Sequence, residues 1–480
     1  MRISLEFASS HTTLHRARLG YAFSLYCAIY GHEPIPDAMQ ASSADLCISY
    51  NDSSISRMTG TLRLSDRYRT RSPKLAAPRP ERFEREAEIT WLFYSPAPGF
   101  EPDWLAEIFE WVSCADEYSI TERDGAGRVP FSASYIGRHK LDPRIPYAAV
   151  AMRFLQRAIC RLVPGCAEEP KCPDSTVRHF VVNTHDVDFL PVSRVSSLHR
   201  LLKNSVISLL ERSPGLATRQ FMRAISVSIG GSNVLDQMPA LLEGQAERQI
   251  GASYYFICAK GHRRDANYDV HDAHVIDIMR SLELAQKEVG VHGSYRSLEV
   301  PSGLATEFDT LRRVGFYPVG GRQHWLRFTL EGLIPALEGA GATYDASLGW
   351  SNTIGFRAGA CFAFPPYDFE REHAVSFLEI PLAIMDRCLW DERNSYEAVA
   401  KLLAVSRKYA WGGASMLWHP TAFKEGQFPE RIGQVYWRLA DARHEQQDTW
   451  VSAATFVSRV WRRYADAGLL PGRESTHAVC

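Results

Sequence analysis

Six short stretches of this 480-residue chain put an acid, an imidazole or a guanidinium beside an apolar run. Asp186 and Asp188 close Val181-Val182-Asn183-Thr184-His185-Asp186-Val187-Asp188, and His292 closes Val289-Gly290-Val291-His292. His324 lies in Gly320-Gly321-Arg322-Gln323-His324-Trp325, and Asp345 follows Thr343-Tyr344. Arg357 lies in Gly355-Phe356-Arg357-Ala358-Gly359, and His419 ends Met416-Leu417-Trp418-His419-Pro420. Taken singly, an Asp after a strand caps the next helix, and a His beside an apolar strand is a hydrogen-bonded core residue. Taken together, polar groups close most strands of one expected sheet, and burying them unpaired costs about 1–3 kcal/mol each. A metal ion resolves that cost. One carboxylate and two imidazoles make a common zinc set with a position left open for water.

These groups need elements to position them. The β-branched run before Asp186 reads as a buried strand that delivers carboxylates to the rim of a sheet. Further strands are expected at Ala252–Cys258, Val289–His292, Phe316–Gly320, Thr343–Asp345, Phe377–Leu382 and Ala414–His419. Helical patterns separate them, among them 193–251, broken at Gly230-Gly231, and Asp272–Glu288 with Ile276, Met279, Leu282 and Ala285 on one face. Strands alternating with helices imply an α/β fold with a parallel sheet or barrel of about seven strands. Active residues of such a barrel lie at the C-terminal ends of its strands. A smaller α+β domain is expected first, at 1–165, with helices at Leu19–Ile29, Asp103–Ser113 and Pro146–Leu162. The barrel is expected at 175–440, and a helical tail at 441–480.

Composition narrows the partners. Hydrophobic residues make up 45% and charged residues 23%, the balance of a globular protein. The net charge of −1 favours neither nucleic acid nor an anionic surface in bulk. No run reaches the roughly 18 apolar residues of a membrane span, and Met1-Arg2 opens no secretion signal, so a cytoplasmic location is expected. The ten cysteines form no Cys-x-x-Cys pair, which fits a reduced chain. The spacing of Cys160, Cys166 and Cys172 matches no usual structural zinc site. From Arg63 to Arg85 the chain is basic and proline-rich, which reads as a solvated loop or as a docking patch for an anion.

The order THDVD, GVHGS, GGRQHWLRF, TYDASLG, GFRAGA, LWHP over about residues 178–425 resembles polysaccharide deacetylase-like proteins, relatives of chitooligosaccharide and peptidoglycan deacetylases. The segment Glu122-Arg123-Asp124-Gly125-Ala126-Gly127-Arg128-Val129-Pro130, with the helix and Glu117-Tyr118 before it, resembles the uncharacterised domain that precedes such barrels in many bacterial proteins. The resemblance implies a distorted (β/α) barrel, a divalent metal, usually zinc, and hydrolysis of a sugar N-acetyl group. Carried onto this chain, it implies Asp186 as general base, His419 as general acid and Arg357 as the arginine that steadies Asp186. His292 matches a metal ligand of that family; Val187 and Arg296 stand where the family's metal Asp and second His would be, so Asp188 and, on geometry alone, His324 are assigned to complete the ligand set, and Asp186 and Asp188 are open to an exchange of roles. Asp345, Arg296, Trp325 and Trp418 are candidate substrate contacts, with Arg296 suited to a uronic acid carboxylate. Trp350 and Tyr295 offer further flat surfaces for a sugar ring. Two alternatives share these features: a barrel that binds a carbohydrate or a polysaccharide-assembly partner without turnover, and a hydrolase of another C–N bond.

Overall fold

The computed structural model describes residues 1–7, 11–35, 44–50, 60–66, 81–84, 89–91, 99–191, 194–210, 214–228, 237–423 and 431–472. Its main sheet contains β1 (His179–Val187), β2 (Ser253–Ile257), β3 (Glu288–Gly293), β4 (Gly320–Gln323) and β5 (Tyr344–Asp345). It continues with β6 (Leu378–Glu379), β7 (Leu382–Met385), β8 (Gly412–Leu417) and β9 (Asp448–Val451). The strand order is β6-β5-β4-β3-β2-β1-β8-β7, and every pairing is parallel. The two ends of that order, β6 and β7, are joined in the chain by Ile380 and Pro381, and Gly349 bridges to Leu382. The sheet therefore curls into a distorted (β/α) barrel.

All nine residues of β1 are buried, as expected of a strand covered on both faces. Helices Met238–Glu247, Ala273–Leu284, Gly303–Arg313, Leu330–Ala340 and Ser395–Tyr409 fall between the strands. Ahead of the barrel, Arg2–Glu6, Glu33–Ile35, Leu46–Ser49 and Thr61–Arg63 form a parallel four-stranded sheet, with helix Thr13–Tyr30 between its first two strands. That helix is tied to the barrel: Trp411 Nε1 donates to Ile29 O at 3.1 Å, and the Tyr21 hydroxyl donates to Pro365 O at 2.6 Å. One apolar core runs continuously from Ile3 to Leu470.

Three elements differ from expectation. The strand read at Phe316–Gly320 lies at Gly320–Gln323 instead. Pro318 has no N–H for a ladder, and a Cβ on Gly321 would lie 1.8 Å from Val291 O, so β4 sits against β3 only with glycine there. The run at 377–382 divides into β6 and β7, which lie at opposite ends of the sheet. The expected helical tail carries β9, which pairs with the first half of β1, because Thr449-Trp450-Val451, β-branched and aromatic, suits an extended and largely buried ladder. Most of the basic stretch, including Arg67, Arg69, Arg71, Lys74 and Arg79, lies outside the described residues, as does Gly230-Gly231.

Candidate metal centre

Side chains alternate across a strand, so Thr184 and Asp186 share one face of β1 while His185 and Val187 take the other, and Asp188, the first residue past the strand, continues on the side of Asp186. The valine between the two carboxylates is thus what puts both on the barrel side. His185 on the outer face bonds Trp418 O through Nδ1 at 2.6 Å and Gln245 through Nε2 at 2.8 Å. Burial pushes its imidazole down to about 3, so it stays neutral and packs.

Asp188, His292 and His324 converge. Each offers a ligand atom, and these atoms lie within 4.8 Å of one another; among the described residues this is the one such group. Asp188 Oδ1 is 3.3 Å from His292 Nε2 and 3.3 Å from His324 Nδ1, and the two nitrogens are 3.0 Å apart. The opposite ring nitrogens face carbonyls: His292 Nδ1 meets Arg322 O at 2.9 Å, and His324 Nε2 meets Arg264 O at 2.8 Å. A carbonyl only accepts, so each outer nitrogen carries the proton and each inner one presents a lone pair. Two lone pairs and a carboxylate oxygen then point at one another, and Asp188 Oδ1 has no hydrogen-bond donor. A divalent cation satisfies all three, and imidazoles anchored on carbonyls are how such ligands are commonly held. The residues fit a metal.

Two further pairs flank this triangle. Asp186 Oδ1 accepts from Arg322 Nη1 at 2.8 Å, while Oδ2 lies 3.6 Å from His292 Nε2. Burial would raise the Asp186 carboxyl, but the Arg322 guanidinium outweighs it and holds the group below the usual carboxylate value. Arg322 itself is locked: Nε donates to Ala346 O at 2.7 Å and Nη1 to Thr184 Oγ1 at 2.9 Å. His419 Nδ1 pairs with Asp386 Oδ1 at 2.9 Å, and its Nε2 lies 3.6 Å from Asp188 Oδ2. Burial would lower the His419 imidazole, yet Asp386 holds it above its usual value. The site thus keeps an ionised carboxylate and a proton-bearing imidazole beside the same triangle. All five side chains line a cavity of about 440 Å³ that also meets Trp325, Arg264 and Arg387.

The other expected residues stand elsewhere. Arg357 does not reach Asp186: its Nε and Nη2 donate to the two Glu117 oxygens at 2.8 and 2.6 Å, a buried fork that ties the N-terminal region to the barrel. Asp345 is bonded to Ser347 N at 3.0 Å and Ser347 Oγ at 2.8 Å, next to Glu379 and off the cavity wall. Arg296 is solvent-exposed and paired with Glu299 at 3.3 Å. Trp418 is fully buried, with Nε1 donating to Ile432 O at 3.0 Å. Trp350 packs near Arg357, and Tyr295 lies under Arg264 and Arg327. Trp325 alone of the candidate tryptophans lines the cavity, held at a positive φ of 65°. Sequence reasoning missed Arg322 and Asp386. Both had a signal: Arg322 sits two residues before His324 in the same motif, and Asp386 closes the apolar run Leu382–Met385.

A second constellation resembles a hydrolytic triad. His179 Nδ1 meets Asp448 Oδ1 at 2.8 Å, and its Nε2 meets Ser406 Oγ at 2.9 Å. It lies at the N-terminal end of β1, away from the strand ends that carry the metal triangle, beside a void of only about 10 Å³. Burial lowers the His179 imidazole. No substrate fits there, and the group serves to pin β9 to β1.

No family model and no curated protein matches the chain. Among solved structures, 4-alpha-glucanotransferase from Thermococcus litoralis aligns with a TM-score of 0.37 at 14% identity, over 59% of this chain and 40% of that one. The alignment therefore spans less than half of that protein. Chitin deacetylase from the fungal pathogen Colletotrichum lindemuthianum aligns at 0.31 and 12%, over 62% of this chain and 94% of that one. A peptidoglycan deacetylase from Bacillus subtilis aligns at 0.31 and 11%, over 62% and 96%. No helix of the described residues is long and apolar enough to cross a membrane.

Proposed function

We propose that this chain is a divalent-metal-dependent amide hydrolase that removes an N-acetyl group from a saccharide. One observation carries the chemistry: three inward-facing acceptors, Asp188, His292 and His324, stand beside a carboxylate and an imidazolium that are each held by a buried partner of opposite charge. The sugar substrate rests on the resemblance of the strand-end motifs to polysaccharide deacetylase-like proteins. Zinc is the ion we favour, since imidazole and carboxylate ligands with one open position suit it.

When bound, the ion supplies a Lewis acid that polarises the acetyl carbonyl and brings the pKa of water from about 15.7 toward ~7. Asp186 Oδ2, the oxygen not taken by Arg322, accepts the proton of the attacking water. His419 Nε2–H donates to the amide nitrogen as the C–N bond breaks, and Asp386 keeps that ring oriented and charged. Water is divided between the products: hydroxide goes to the acetyl carbon, giving acetate, and a proton goes to the freed amine. Trp325, 40% exposed at the mouth, offers a flat face to the sugar ring.

The test is acetate release from N-acetylated chitooligosaccharides by protein stripped with a chelator and then reloaded with zinc. Release should require the ion. Asp186→Asn should lower turnover by ~10²–10⁴ while metal content stays at the wild-type level. His324→Ala should weaken zinc binding by more than the 10–100-fold typical of losing only an outer partner. Tight zinc binding with no acetate from any N-acetyl sugar would sink the hydrolytic reading, and unchanged zinc affinity in His324→Ala would remove that residue from the ligand set.

A further inference from the structure

Between β1 and the helix Met238–Glu247 the chain inserts two helices, α1 (Arg194–Leu210) and α2 (Pro214–Ser228), that no step above uses. We propose that this hairpin docks the protein onto a lipid bilayer with anionic headgroups. Three features converge on it.

The first is apolar exposure. Of the fourteen large hydrophobic side chains exposed among the described residues, eight belong to this pair: Leu202, Val206, Ile207, Leu209 and Leu210 on α1, with Phe221, Met222 and Ile225 on α2. They are not the face that joins the helices. Ser205 Oγ donates to Ala217 O at 2.8 Å, and Leu201 packs with Ala224, so α1 and α2 meet through 201, 205, 217 and 224. Leu202, Val206 and Leu209 recur at spacings of four and three on a separate stripe. Eight exposed apolar side chains on two helices packed against each other are more than the single scattered ones ordinary at a surface, and such concentrations mark interaction sites.

The second is charge. The helices carry Arg194, Arg200, Lys203, Arg219 and Arg223 and not one Asp or Glu, in a chain with 55 acids against 54 Lys and Arg. Apolar residues mixed with cations alone fit a helix pair lying in the plane of an anionic membrane surface. A second copy of the same hairpin would bring like charges together. An anionic polymer would pair with the cations but has no use for Leu209, Leu210 and Phe221. At 17 residues α1 is too short to span, which fits a surface-lying element.

The third is position. The hairpin has its own small apolar cluster, Leu201 with Ala224, separate from the main core, and Phe189 packs on it. Phe189 also lines the metal-site cavity, one residue after Asp188. A docked hairpin would therefore hold the cavity close to the membrane surface, where a lipid-carried substrate is within reach. Docking itself does not depend on which reaction the cavity performs.

The experiment is flotation of the full chain with vesicles of phosphatidylcholine and phosphatidylglycerol in equal parts, against phosphatidylcholine alone. Wild-type protein should bind the anionic vesicles at least about tenfold better, and added salt should weaken the binding. Leu209→Ser/Leu210→Ser/Phe221→Ser should lose about tenfold or more. The charge reversal Lys203→Glu/Arg223→Glu, a second route if the triple variant misfolds, should lose the preference for anionic vesicles. Equal binding to both vesicle types, or none, overturns the proposal. So does a wild-type dimer in light scattering that the serine variant dissolves, or binding to heparin that the serine variant keeps in the absence of vesicle binding. Vesicle binding and acetate release are read separately, so either reading can fail alone.

Discussion

Replacing Arg322 by Met isolates the ion pair that keeps Asp186 charged. Arg322 is fully buried and the Asp186 side chain is 4% exposed, with 2.8 Å between them. At a surface such a pair would contribute about 0–1 kcal/mol. Burial changes the outcome, because Met leaves a carboxylate in the interior with no cation bonded to it, at a cost of about 3–5 kcal/mol. Ala346 O and Thr184 Oγ1 lose a donor in the same step. Denaturant midpoints of the metal-free protein should therefore fall sharply in Arg322→Met. Adding Asp186→Asn should recover part of the loss, since the stranded charge is gone, giving a coupling of at least about 1 kcal/mol. The pH dependence has a defined sign. Asp186 is held below its ordinary value, so its contribution is present above the unfolded-state carboxylate value and is lost as pH falls through the lower folded-state value. Without Arg322 that loss should begin at higher pH, and the acid limb of turnover should move the same way. A destabilisation under about 1 kcal/mol, or additivity of the two substitutions within about 0.5 kcal/mol, would refute this account of the pair.

Two predictions concern neighbouring groups. Asp386→Asn keeps the shape of the partner of His419 but removes the charge that raises its imidazole; kcat should fall about tenfold or more and its alkaline limb should move to lower pH, while an unmoved limb would exclude Asp386 as the positioning residue. Glu307 is buried and bonded to Ser294 Oγ at 2.5 Å and Ser294 N at 2.9 Å, and burial pushes its carboxyl up to about 7. Between the ordinary value near 4.5 and 7 the folded protein keeps a proton that the unfolded chain releases, so stability should fall by about 3 kcal/mol as pH rises through that window and then level off. Glu307→Gln should flatten this dependence, and identical pH–stability curves for the two proteins would contradict it.

The residues themselves determined much of this. A β-branched run ending in two carboxylates at i and i+2 has to put both on one face, because strand periodicity is local. The alternation of strands and helices fixed a parallel barrel, and a parallel barrel gathers its strand ends. Asp186, Asp188, His292 and His419 were legible for that reason, each at the end of a recognisable run, while His324 stood out only as an imidazole in a glycine-led motif whose strand was read four residues too early. What the tertiary structure decided is which partner each group meets. Arg322 and Arg357 sit in similar glycine-flanked motifs, and nothing local distinguishes them. Arg322 reaches Asp186 across 136 positions because β4 pairs with β3 at Arg322–His292, while Arg357 is drawn to Glu117 across 240 positions. Asp386 shows the same limit: its run was visible, but its pairing with His419 follows from β7 lying beside β8. The apolar residues of α1 read as part of a helical pattern from their spacing, and only the packed structure shows which of them are left exposed. Periodicity sets the face of a residue within one element, whereas partners, charge states and exposure depend on which distant elements close around it.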